Sequence, residues 1–362
     1  METVVAHESG WAGKRVLITG HTGFKGSWLA IWLKKLGAVV YGCSLPATGA
    51  RNLFTLANVA ALAESELLDI RRGELLRAFV ADVKPEIVFH LAAQSLVLES
   101  YRDPVGTYET NVIGTLNVLE AIRATASVKA AVIITTDKCY ENRGESRPFT
   151  ESARLGGHDP YSSSKACAEI LVASYRASFF HDGRPVAPRV ATARAGNVVG
   201  GGDWSENRLV PDVIRAIGNG ADIVIRNPDS IRPWQHVLES LAGYLRLGEA
   251  LMAGRAEFER GWNFGPDEAD AKPVRWVVEK LLAAMQANTT WVLDDSARPH
   301  EAPVLMLDSS DAKSLLGWTP RWNIEETIGR VGAWYRDEMN GEDALRLCHA
   351  QIDDYTNPGV TA

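Results

Sequence analysis

The chain has 362 residues, of which 46% are hydrophobic and 23% are charged. This composition is typical of globular proteins and excludes the low-hydrophobicity, high-charge pattern of disordered chains. At about 150 residues per domain, the length favours two domains or one large domain with an insertion. The formal net charge is −7 and no basic run stands out, so we do not expect nucleic acid as a partner.

Cysteine usage and the N-terminal residues indicate a reducing compartment. The four cysteines are scattered and form no CxxC pair, so we expect free thiols rather than a disulfide framework. The start METVVAHESGWAG lacks the basic and apolar regions of a signal peptide. No apolar run reaches the roughly 20 residues that span a bilayer. We therefore expect a cytoplasmic protein without a membrane partner, and no metal site, because no cluster has metal-ligand spacing.

Strand and helix patterns alternate through the first half of the chain. Apolar runs predict strands at residues 15–19, 38–42, 67–70, 86–91, 129–135 and 190–195. Helical periodicity predicts a first helix that ends near residue 36. Further helices are predicted at residues 73–82, 108–124 and 160–179. Because apolar strands alternate with helices, we predict an α/β fold with a Rossmann-type, doubly wound parallel sheet.

The regularity ends after about residue 196. Residues 196–208 are rich in Gly, Asn and Asp, which predicts a long loop. Helices and short strands then mix, at residues 209–219, 223–226, 237–252, 274–286 and 324–339. We predict a dinucleotide-binding domain over residues 12–195, with a returning segment near 230–265. A smaller, mixed α/β domain over 196–352 would mainly bind substrate, and residues 353–362 would form a flexible tail.

A glycine-rich segment follows the first strand and opens a helix. It reads Gly20-His21-Thr22-Gly23-Phe24-Lys25-Gly26. Glycines at this place let the backbone turn tightly and approach a pyrophosphate at the positive end of a helix. The spacing GxxGxxG is a variant of the GxGxxG fingerprint, and a glycine turn without a ligand is the alternative. In its strand-loop-helix context the segment predicts dinucleotide binding.

The end of the second strand bears on which dinucleotide is bound. An acidic residue that binds the adenosine ribose is usual there, but this chain has Ser44 and, further on, Arg51. We predict NAD as the cofactor. NADP stays open, because a hydroxyl and an arginine at this place would permit a 2′-phosphate. Arg51 is as readily a solvated loop residue. Asp69 and Ile70 are candidates for the adenine, with a strand-end cap as the alternative.

Tyr161 and Lys165 lie four residues apart at the start of the predicted helix 160–179. They therefore share a helix face. A nearby ammonium favours the phenolate and lowers the pKa of tyrosine, which suits it to general acid/base catalysis. A YxxxK pair alone occurs by chance in many proteins. Its place after the fifth strand of a nucleotide-binding sheet makes it a candidate active site.

The fifth strand closes with Thr135-Thr136-Asp137-Lys138. Ligands of such sheets bind beyond the carboxyl ends of the strands, where a hydroxyl, a carboxylate and an amine could face a substrate together. The alternative is a strand-end turn in which Asp137 is a cap and Lys138 is solvated. The presence of Tyr161 favours chemistry.

Taken together, the motifs resemble the extended short-chain dehydrogenase/reductase family over essentially the whole chain. TGHTGFKG, HLAAQ, NVIGTLNVLEA, YSSSK and LGWTPRW stand in the family's order. Within it, the chain is most similar to the nucleotide-sugar 4,6-dehydratases, in particular to the branch that acts on CDP-glucose, through ITTDKCYEN, RAGNVVGGGDW and RPWQHV. Lys138, where the dTDP-glucose relatives typically carry a glutamate, points to that branch.

The resemblance implies a hydro-lyase that converts CDP-glucose to CDP-4-keto-6-deoxyglucose and water. Tyr161 would take the C4 hydroxyl proton while hydride passes from C4 to NAD. Asp137 would be the acid for loss of the C6 hydroxyl, hydride would return to C6, and Thr136 would hydrogen-bond the C4 oxygen. Lys138 could remove the C5 proton only if its pKa is depressed, and would otherwise polarise a water or the keto oxygen. The C5 base therefore stays open.

The resemblance also implies ligand contacts and a homodimer. Cofactor contacts are expected from Gly20, Thr22, Gly23, Phe24, Lys25, Gly26, Ser44, Asp69, Ile70, Leu91, Ala92, Ala93, Thr135, Tyr161 and Lys165. Substrate contacts are expected from Gln94, Asn197, Arg208, Arg232, Arg298 and His300. Arginine forks suit two phosphates, although any single arginine is as readily a surface residue. The helices 108–124 and 160–179 of two subunits would form a four-helix bundle.

Two other functions are compatible with parts of this pattern. A nucleotide-sugar 4-epimerase would use the same Tyr161 and Lys165, but it needs no acid and base at C5 and C6, so Asp137 and Lys138 argue against it. A sensor that binds a nicotinamide nucleotide without turnover would be expected to lack Tyr161 or Lys165, and both are present.

Overall fold

The computed structural model describes residues 10–144, 147–181, 187–294 and 305–357. The strands in these ranges are β1 (Arg15–Thr19), β2 (Val39–Ser44), β3 (Glu64–Leu67), β4 (Ile87–His90), β5 (Ala130–Ile134), β6 (Arg189–Ala195), β7 (Asn197–Val199), β8 (Ile223–Ile225), β9 (Ile231–His236), β10 (Gly261–Phe264), β11 (Ala271–Pro273) and β12 (Trp291–Leu293). The α-helices are α1 (Phe24–Lys35), α2 (Leu53–Leu56), α3 (Gly73–Val83), α4 (Val97–Arg102), α5 (Pro104–Tyr108), α6 (Gly114–Ala124), α7 (Pro160–Phe179), α8 (Leu209–Asn219), α9 (Val237–Met252), α10 (Val274–Met285), α11 (Ser310–Leu315), α12 (Ile324–Met339) and α13 (Ala344–Thr356).

Seven of these strands form the central sheet, and they pair in parallel throughout. Their order is β10-β6-β5-β4-β1-β2-β3. The order reverses between β1 and β4, and sheets of this kind bind ligands in the crevice beyond the carboxyl ends of the strands at such a point. The predicted doubly wound α/β fold is confirmed.

The side chains of the central strands alternate between two apolar cores, one on each face of the sheet. In β1, Val16 and Ile18 belong to one core and Leu17 to the other. In β4, Phe89 and Val88 divide in the same way. Successive side chains of a strand point to opposite faces. Because helices cover both faces, these strands read as unbroken apolar runs.

The third strand differs from its prediction at residues 67–70. It is β3, at Glu64–Leu67, which lies at the edge of the sheet and is exposed along its length. Leu68 and Ile70, which suggested an apolar strand, are buried in the segment that follows. The edge position explains the error, because an exposed strand needs no apolar run.

The helix predicted at residues 108–124 begins earlier, at Pro104, and contains a π-helical turn at Glu109–Ile113 between α5 and α6. Asn111 lies within this turn and is buried. Its amide exchanges hydrogen bonds of 2.9 Å with the backbone of Gln94 and donates to the Ser164 hydroxyl at 2.9 Å. The turn therefore joins the loop after β4 to helix α7.

The loop predicted at residues 196–208 contains the short strand β7. Strand β7 pairs with β9 and β9 pairs with β11, while β8 and β12 form a separate pair. Helix α9 contacts β5 and β6, and β10 pairs with β6. The chain thus comes back to the central sheet after the loop. The division into a domain over 12–195 and one over 196–352 stays a prediction.

The flexible tail predicted over residues 353–362 is wrong for the part that the structure describes. Helix α13 continues to Thr356, and Tyr355 is buried. The Tyr355 ring packs edge-on against Trp32 and Trp322, and its hydroxyl donates to Glu239 at 2.7 Å. Aromatic packing therefore holds this end of the chain in place. Residues 358–362 lie outside the described residues.

Among the helices of the described residues, none has the length and apolar character required to traverse a bilayer.

Candidate active site

Two glycines shape the loop between β1 and α1. Gly20 has a φ of +79°, and a Cβ atom there would lie 2.6 Å from the Ala92 nitrogen. A Cβ atom on Gly26 would lie 2.1 Å from the Gly20 carbonyl oxygen. The loop therefore passes too close to its neighbours for any side chain at either position.

Helix α1 begins directly after this loop, and its first backbone N–H groups have no side-chain cap. Gly23 occupies the N-cap position, supplies no side-chain cap and is exposed, and the first turn of the helix contains no acidic residue. The unpaired N–H groups of a helix start bind anions readily, helped by the helix dipole. The residues present therefore fit a pyrophosphate, as the sequence predicts for Gly20, Thr22, Gly23, Phe24 and Gly26.

At the end of β2, the His21 ring fills the space above Gly42. A Cβ atom on Gly42 would lie 2.3 Å from this ring, and His21 Nε2 lies 2.9 Å from the Ser65 hydroxyl. Burial lowers the pKa of His21 to about 4, against the effect of a backbone hydrogen bond with Cys43. The Thr22 and Ser44 hydroxyls lie 2.8 Å apart, so Ser44 contacts the glycine loop.

The Arg51 side chain already has partners within the chain. Its guanidinium forms an ion pair with Glu338 and lies 4.4 Å from the centre of the Trp204 ring. The sequence left Arg51 open as a partner for a 2′-phosphate. Its pairing with Glu338 favours NAD over NADP, because the positive charge is already neutralised.

The adenine candidates Asp69 and Ile70 lie between β3 and α3, and three further predicted cofactor contacts follow β4. Asp69 accepts hydrogen bonds from the Arg71 guanidinium at 2.7 and 2.9 Å, and the side-chain hydrogen bond with Arg71 holds its pKa below the ordinary value. Ile70 is buried beside Gly114, where a Cβ atom would lie 2.5 Å from Ile70 Cδ1. Residues Leu91, Ala92 and Ala93 are half-buried in the loop that contacts Gly20.

The predicted acid/base pair lies at the start of α7. Asp159 caps this helix by accepting from the Ser162 nitrogen at 2.9 Å. Tyr161 and Lys165 are both buried. The Lys165 ammonium donates to the Ile134 carbonyl oxygen at 3.2 Å. The lysine therefore lies against the last residue of β5, next to the Thr135–Lys138 turn.

Burial dominates the protonation of this pair. It raises the pKa of Tyr161 to about 12, although a hydrogen bond with Thr136 and the charge of Arg208 act in the opposite direction. It lowers the pKa of Lys165 to about 8, against the charge of Glu169. A positive charge close to the phenol, such as a bound nicotinamide ring would add, favours the phenolate further.

Asp137 has a buried oxygen without a hydrogen-bond partner among the described residues. Its Oδ1 atom accepts from the Thr136 hydroxyl at 3.0 Å, whereas Oδ2 has no partner. A Cβ atom on Gly196 would lie 2.9 Å from Oδ2. Buried polar atoms are almost always paired, so this oxygen indicates a place for a ligand group. Lys138 follows on the same turn and is half-buried.

Lys25 is half-buried in the first turn of α1 and contacts a residue far along the chain. Its ammonium donates to the Tyr244 hydroxyl at 3.2 Å. Burial lowers the pKa of Lys25 to about 7, with Arg208 and Lys165 adding to this effect and Asp137 opposing it. These interactions place Lys25 close to the catalytic candidates.

Arg208 is a predicted substrate residue whose charge acts on the acid/base pair. It pairs with Asp203 at 2.9 Å and donates to the Ser95 hydroxyl at 3.1 Å. Burial lowers the pKa of Arg208, but the pairing with Asp203 outweighs it, so the pKa is raised. The charge of Arg208 in turn favours the Tyr161 phenolate.

The other predicted substrate residues are less informative. Gln94 donates from its side-chain amide to the Leu96 carbonyl oxygen in its own loop and to the Thr107 hydroxyl on α5. Asn197 begins β7 next to β9, and Arg232 is buried in β9. Arg298 and His300 lie outside the described residues. No cluster of three or more His, Cys, Asp or Glu side chains in the described ranges is arranged to hold a metal ion.

Four residues of the site are absent from the sequence predictions, namely Asp203, Tyr244, Glu169 and Arg194. Asp203 and Tyr244 pair with Arg208 and Lys25. Asp203 stands in the segment RAGNVVGGGDW without being singled out there, whereas Tyr244 belongs to none of the quoted motifs. Glu169 forms a buried ion pair with Arg194. Its spacing of one turn from Lys165 on the same helix face is a signal that sequence inspection could have used.

Comparison with known proteins gives consistent results. Residues 17–331 match the family model described as GDP-mannose 4,6 dehydratase. The CDP-glucose 4,6-dehydratase of Salmonella typhimurium is 48% identical over 347 residues, which cover 95% of this chain and 97% of that protein. The structure of DesIV, a dTDP-glucose 4,6-dehydratase from Streptomyces venezuelae with NAD bound, matches with a TM-score of 0.76 and 25% identity, covering 91% of this chain and 99% of that chain. A UDP-glucose 4-epimerase from Thermotoga maritima matches with a TM-score of 0.77 at 22% identity, over 90% of this chain and 99% of that one, and shows the fold alone.

Proposed function

The chain belongs to the GDP-mannose 4,6 dehydratase family, and from that premise we propose that it converts CDP-glucose to CDP-4-keto-6-deoxyglucose and water. The observation that carries this proposal is the unpaired Asp137 oxygen beside Tyr161 and Lys165. A 4-epimerase needs the tyrosine and the lysine, but it has no step that requires an acid at C6. The relative from Salmonella typhimurium supports CDP-glucose as the substrate.

The crevice suits NAD as the cofactor, which DesIV also binds. When bound, NAD would accept hydride from C4 of the sugar and return it to C6. The open start of α1 would hold the pyrophosphate, and Ser44 would face the adenosine ribose. Lys165 would hold the ribose hydroxyls next to the nicotinamide.

Tyr161 is proposed to remove the proton of the C4 hydroxyl. Its phenol is buried, and the charge of the Arg208 guanidinium favours the phenolate. The Lys165 ammonium, one helical turn further along α7, would add a second positive charge that favours it. Thr136, which hydrogen-bonds with Tyr161, would bind the same C4 oxygen. Once C4 is a ketone, the proton on the neighbouring C5 becomes acidic.

Asp137 is proposed to donate a proton to the C6 hydroxyl as water leaves. The Thr136 hydroxyl orients its carboxyl group through Oδ1, which leaves Oδ2 for the substrate. Lys138 stands on the same turn, where it would either remove the C5 proton or polarise a water or the keto oxygen. Arg208, Asn197 and Arg232 would bind the sugar and the two phosphates.

We also propose a cytoplasmic homodimer. Apolar side chains on α5, the π turn and α7 are exposed in the single chain, with exposed fractions of 67% for Val105, 47% for Ile113 and 58% for Ile170. Two copies could bury these residues in a four-helix bundle. Sedimentation velocity should show a dimer that Ile170→Glu dissociates, and a monomeric wild-type chain would contradict this proposal.

Product analysis tests the function. The purified chain is incubated separately with CDP-, dTDP-, UDP- and GDP-glucose, and each product is identified by mass spectrometry. We expect loss of water from CDP-glucose and a 4-keto product that absorbs ultraviolet light in alkali. An isomeric sugar nucleotide without loss of water would indicate the epimerase instead, and NAD binding without any turnover would indicate a sensor.

A further inference from the structure

A buried ion pair lies one helical turn from the Lys165 ammonium. Glu169 and Arg194 are 3% and 5% exposed. Arg194 donates to the Glu169 carboxylate from Nε at 2.9 Å and from Nη2 at 2.7 Å. The hydroxyls of Thr135 and Thr192 donate to the same carboxylate at 2.5 and 2.7 Å. Four donors therefore converge on one carboxylate in the interior.

These contacts join three elements of the active site. Glu169 shares a face of α7 with Lys165, because the two residues are four positions apart. Thr135 belongs to the turn that closes β5, and Thr192 and Arg194 belong to β6. The carboxylate thus holds the catalytic helix against the ends of two neighbouring strands.

The surroundings are shaped to accept this pair. A Cβ atom on Gly261 would lie 2.3 Å from Arg194 Nη2, so the glycine makes room for the guanidinium. Arg194 also donates to the Tyr140 hydroxyl at 2.6 Å, and Tyr140 donates to Asn263 at 2.7 Å. A buried ion pair is weak evidence for added stability, because desolvation offsets its attraction. The burial of this pair therefore points to a role other than stability.

The charges that face Lys165 indicate this role. Burial lowers the pKa of Lys165 to about 8, while Glu169 and Cys139 act in the opposite direction. Burial raises the pKa of the Cys139 thiol well above its ordinary value, so the thiol is neutral. From other elements, Lys165 faces Lys25 on α1 and His90 at the end of β4, and burial lowers the pKa of His90 to about 3. Among these facing groups, Glu169 supplies the negative charge.

We propose that Glu169 is a positioning residue that keeps the Lys165 ammonium charged and holds it against the end of β5. The inference rests on the proposed role of Tyr161 and Lys165, since an uncharged Lys165 would no longer favour the phenolate. Arg194 keeps Glu169 ionised, because its charge and hydrogen bonds outweigh burial and hold the pKa of Glu169 below the ordinary value. The pair acts on the reaction through Lys165 without touching the substrate.

The test uses Glu169→Gln, Glu169→Asp and the double variant Glu169→Gln/Arg194→Gln in the full chain. Ionisation of Lys165 is followed by NMR of isotopically labelled lysines, and its signal is assigned by its loss in Lys165→Met. We expect Glu169→Gln to lower the titration midpoint of Lys165 by about one pH unit or more. The alkaline limb of kcat should move in the same direction, and Glu169→Asp should stay close to wild type.

The double variant separates the effect of charge from that of folding. Glu169→Gln leaves Arg194 buried and unpaired, which destabilises the fold, whereas the double variant removes both charges. We expect it to recover thermal stability and to keep the lowered midpoint. If Glu169→Gln does not fold, the double variant alone decides the question. A wild-type midpoint in the double variant would overturn the proposal.

Glu259→Gln is the matched control. It breaks the Arg189–Glu259 ion pair at the other end of β6, so it should lower stability without moving the Lys165 midpoint. The NMR readout needs no turnover. A lowered midpoint in a chain that does not dehydrate CDP-glucose would therefore reject the proposed function and not the role of Glu169.

Discussion

The Lys165 ammonium donates a hydrogen bond of 3.2 Å to the carbonyl oxygen of Ile134, the last residue of β5. This contact ties the start of α7 to the sheet edge from which Asp137 follows. The glycine loop between β1 and α1 lies at the same edge. The acid/base pair, the unpaired Asp137 oxygen and the dinucleotide loop therefore lie at one edge of the sheet.

Replacing the phenol should remove the proton acceptor of the first step. We expect Tyr161→Phe to lower kcat by roughly 10²–10⁴-fold, the usual contribution of general acid/base catalysis. Tyr175→Phe is the control, because Tyr175 lies on the same helix but donates to Glu120, at 2.8 Å. Steady-state kinetics with CDP-glucose measure both variants. Unchanged turnover of Tyr161→Phe would remove this residue from the mechanism.

Neutralising Asp137 should slow elimination more than oxidation. In Asp137→Asn the C4 step can proceed, but the C6 hydroxyl loses its acid. Stopped-flow absorbance should therefore show reduced cofactor accumulating before product forms. A fall in turnover without any such accumulation would mean that Asp137 acts earlier in the reaction.

A methyl group on Gly26 should disrupt the dinucleotide loop. In Gly26→Ala the new Cβ atom would lie 2.1 Å from the Gly20 oxygen, and relieving an overpacked contact costs about 1–3 kcal/mol. We expect the dissociation constant for NAD, measured by calorimetry, to rise about tenfold or more. The control is Gly329→Ala in α12, where a Cβ atom meets nothing within 4 Å. Equal NAD affinity in the two variants would contradict this account of the loop.

Acid should destabilise the fold through its buried histidines. Burial, followed by the charge of Arg330, lowers the pKa of His236 from 6.5 to about 3. Between these two values the unfolded chain binds more protons than the folded chain, so stability falls as the pH falls. The slope for one histidine is up to about 1.4 kcal/mol per pH unit.

Urea unfolding at several pH values between 6.5 and 3 measures this effect. His236→Gln should lose part of the wild-type slope, because it removes one group that protonates on unfolding. If the variant and the wild type lose stability in parallel as the pH falls, His236 does not contribute.

The sequence predicts those elements of the fold whose signals lie within one contiguous segment. Strand β1 and helix α7 occupy the predicted residues, because an apolar run and a capped helical pattern are local signals. Strand β3 was misplaced because an exposed edge strand lacks the apolar run. The predicted tail at residues 353–362 misses the last turn of helix α13, because the burial of Tyr355 depends on aromatic partners that lie far away in sequence.

The same distinction holds for the candidate site. The glycine loop, the Thr135–Lys138 turn and the Tyr161–Lys165 pair are each short in sequence and were all predicted. The partners that hold them are distant: Lys25 and Tyr244 are 219 positions apart, and Arg51 and Glu338 are 287 apart. Such pairs are brought together only by the topology of the sheet, which a single sequence does not display.

Transfer of the C4 hydrogen tests the central claim most directly. CDP-glucose deuterated at C4 is incubated with the enzyme and NAD, and the sugar is examined by NMR and mass spectrometry. The account predicts a 4-keto-6-deoxy sugar nucleotide in which the deuterium has moved to C6 of the same molecule. Deuterium retained at C4 of an isomeric sugar nucleotide, with no water lost, would contradict it.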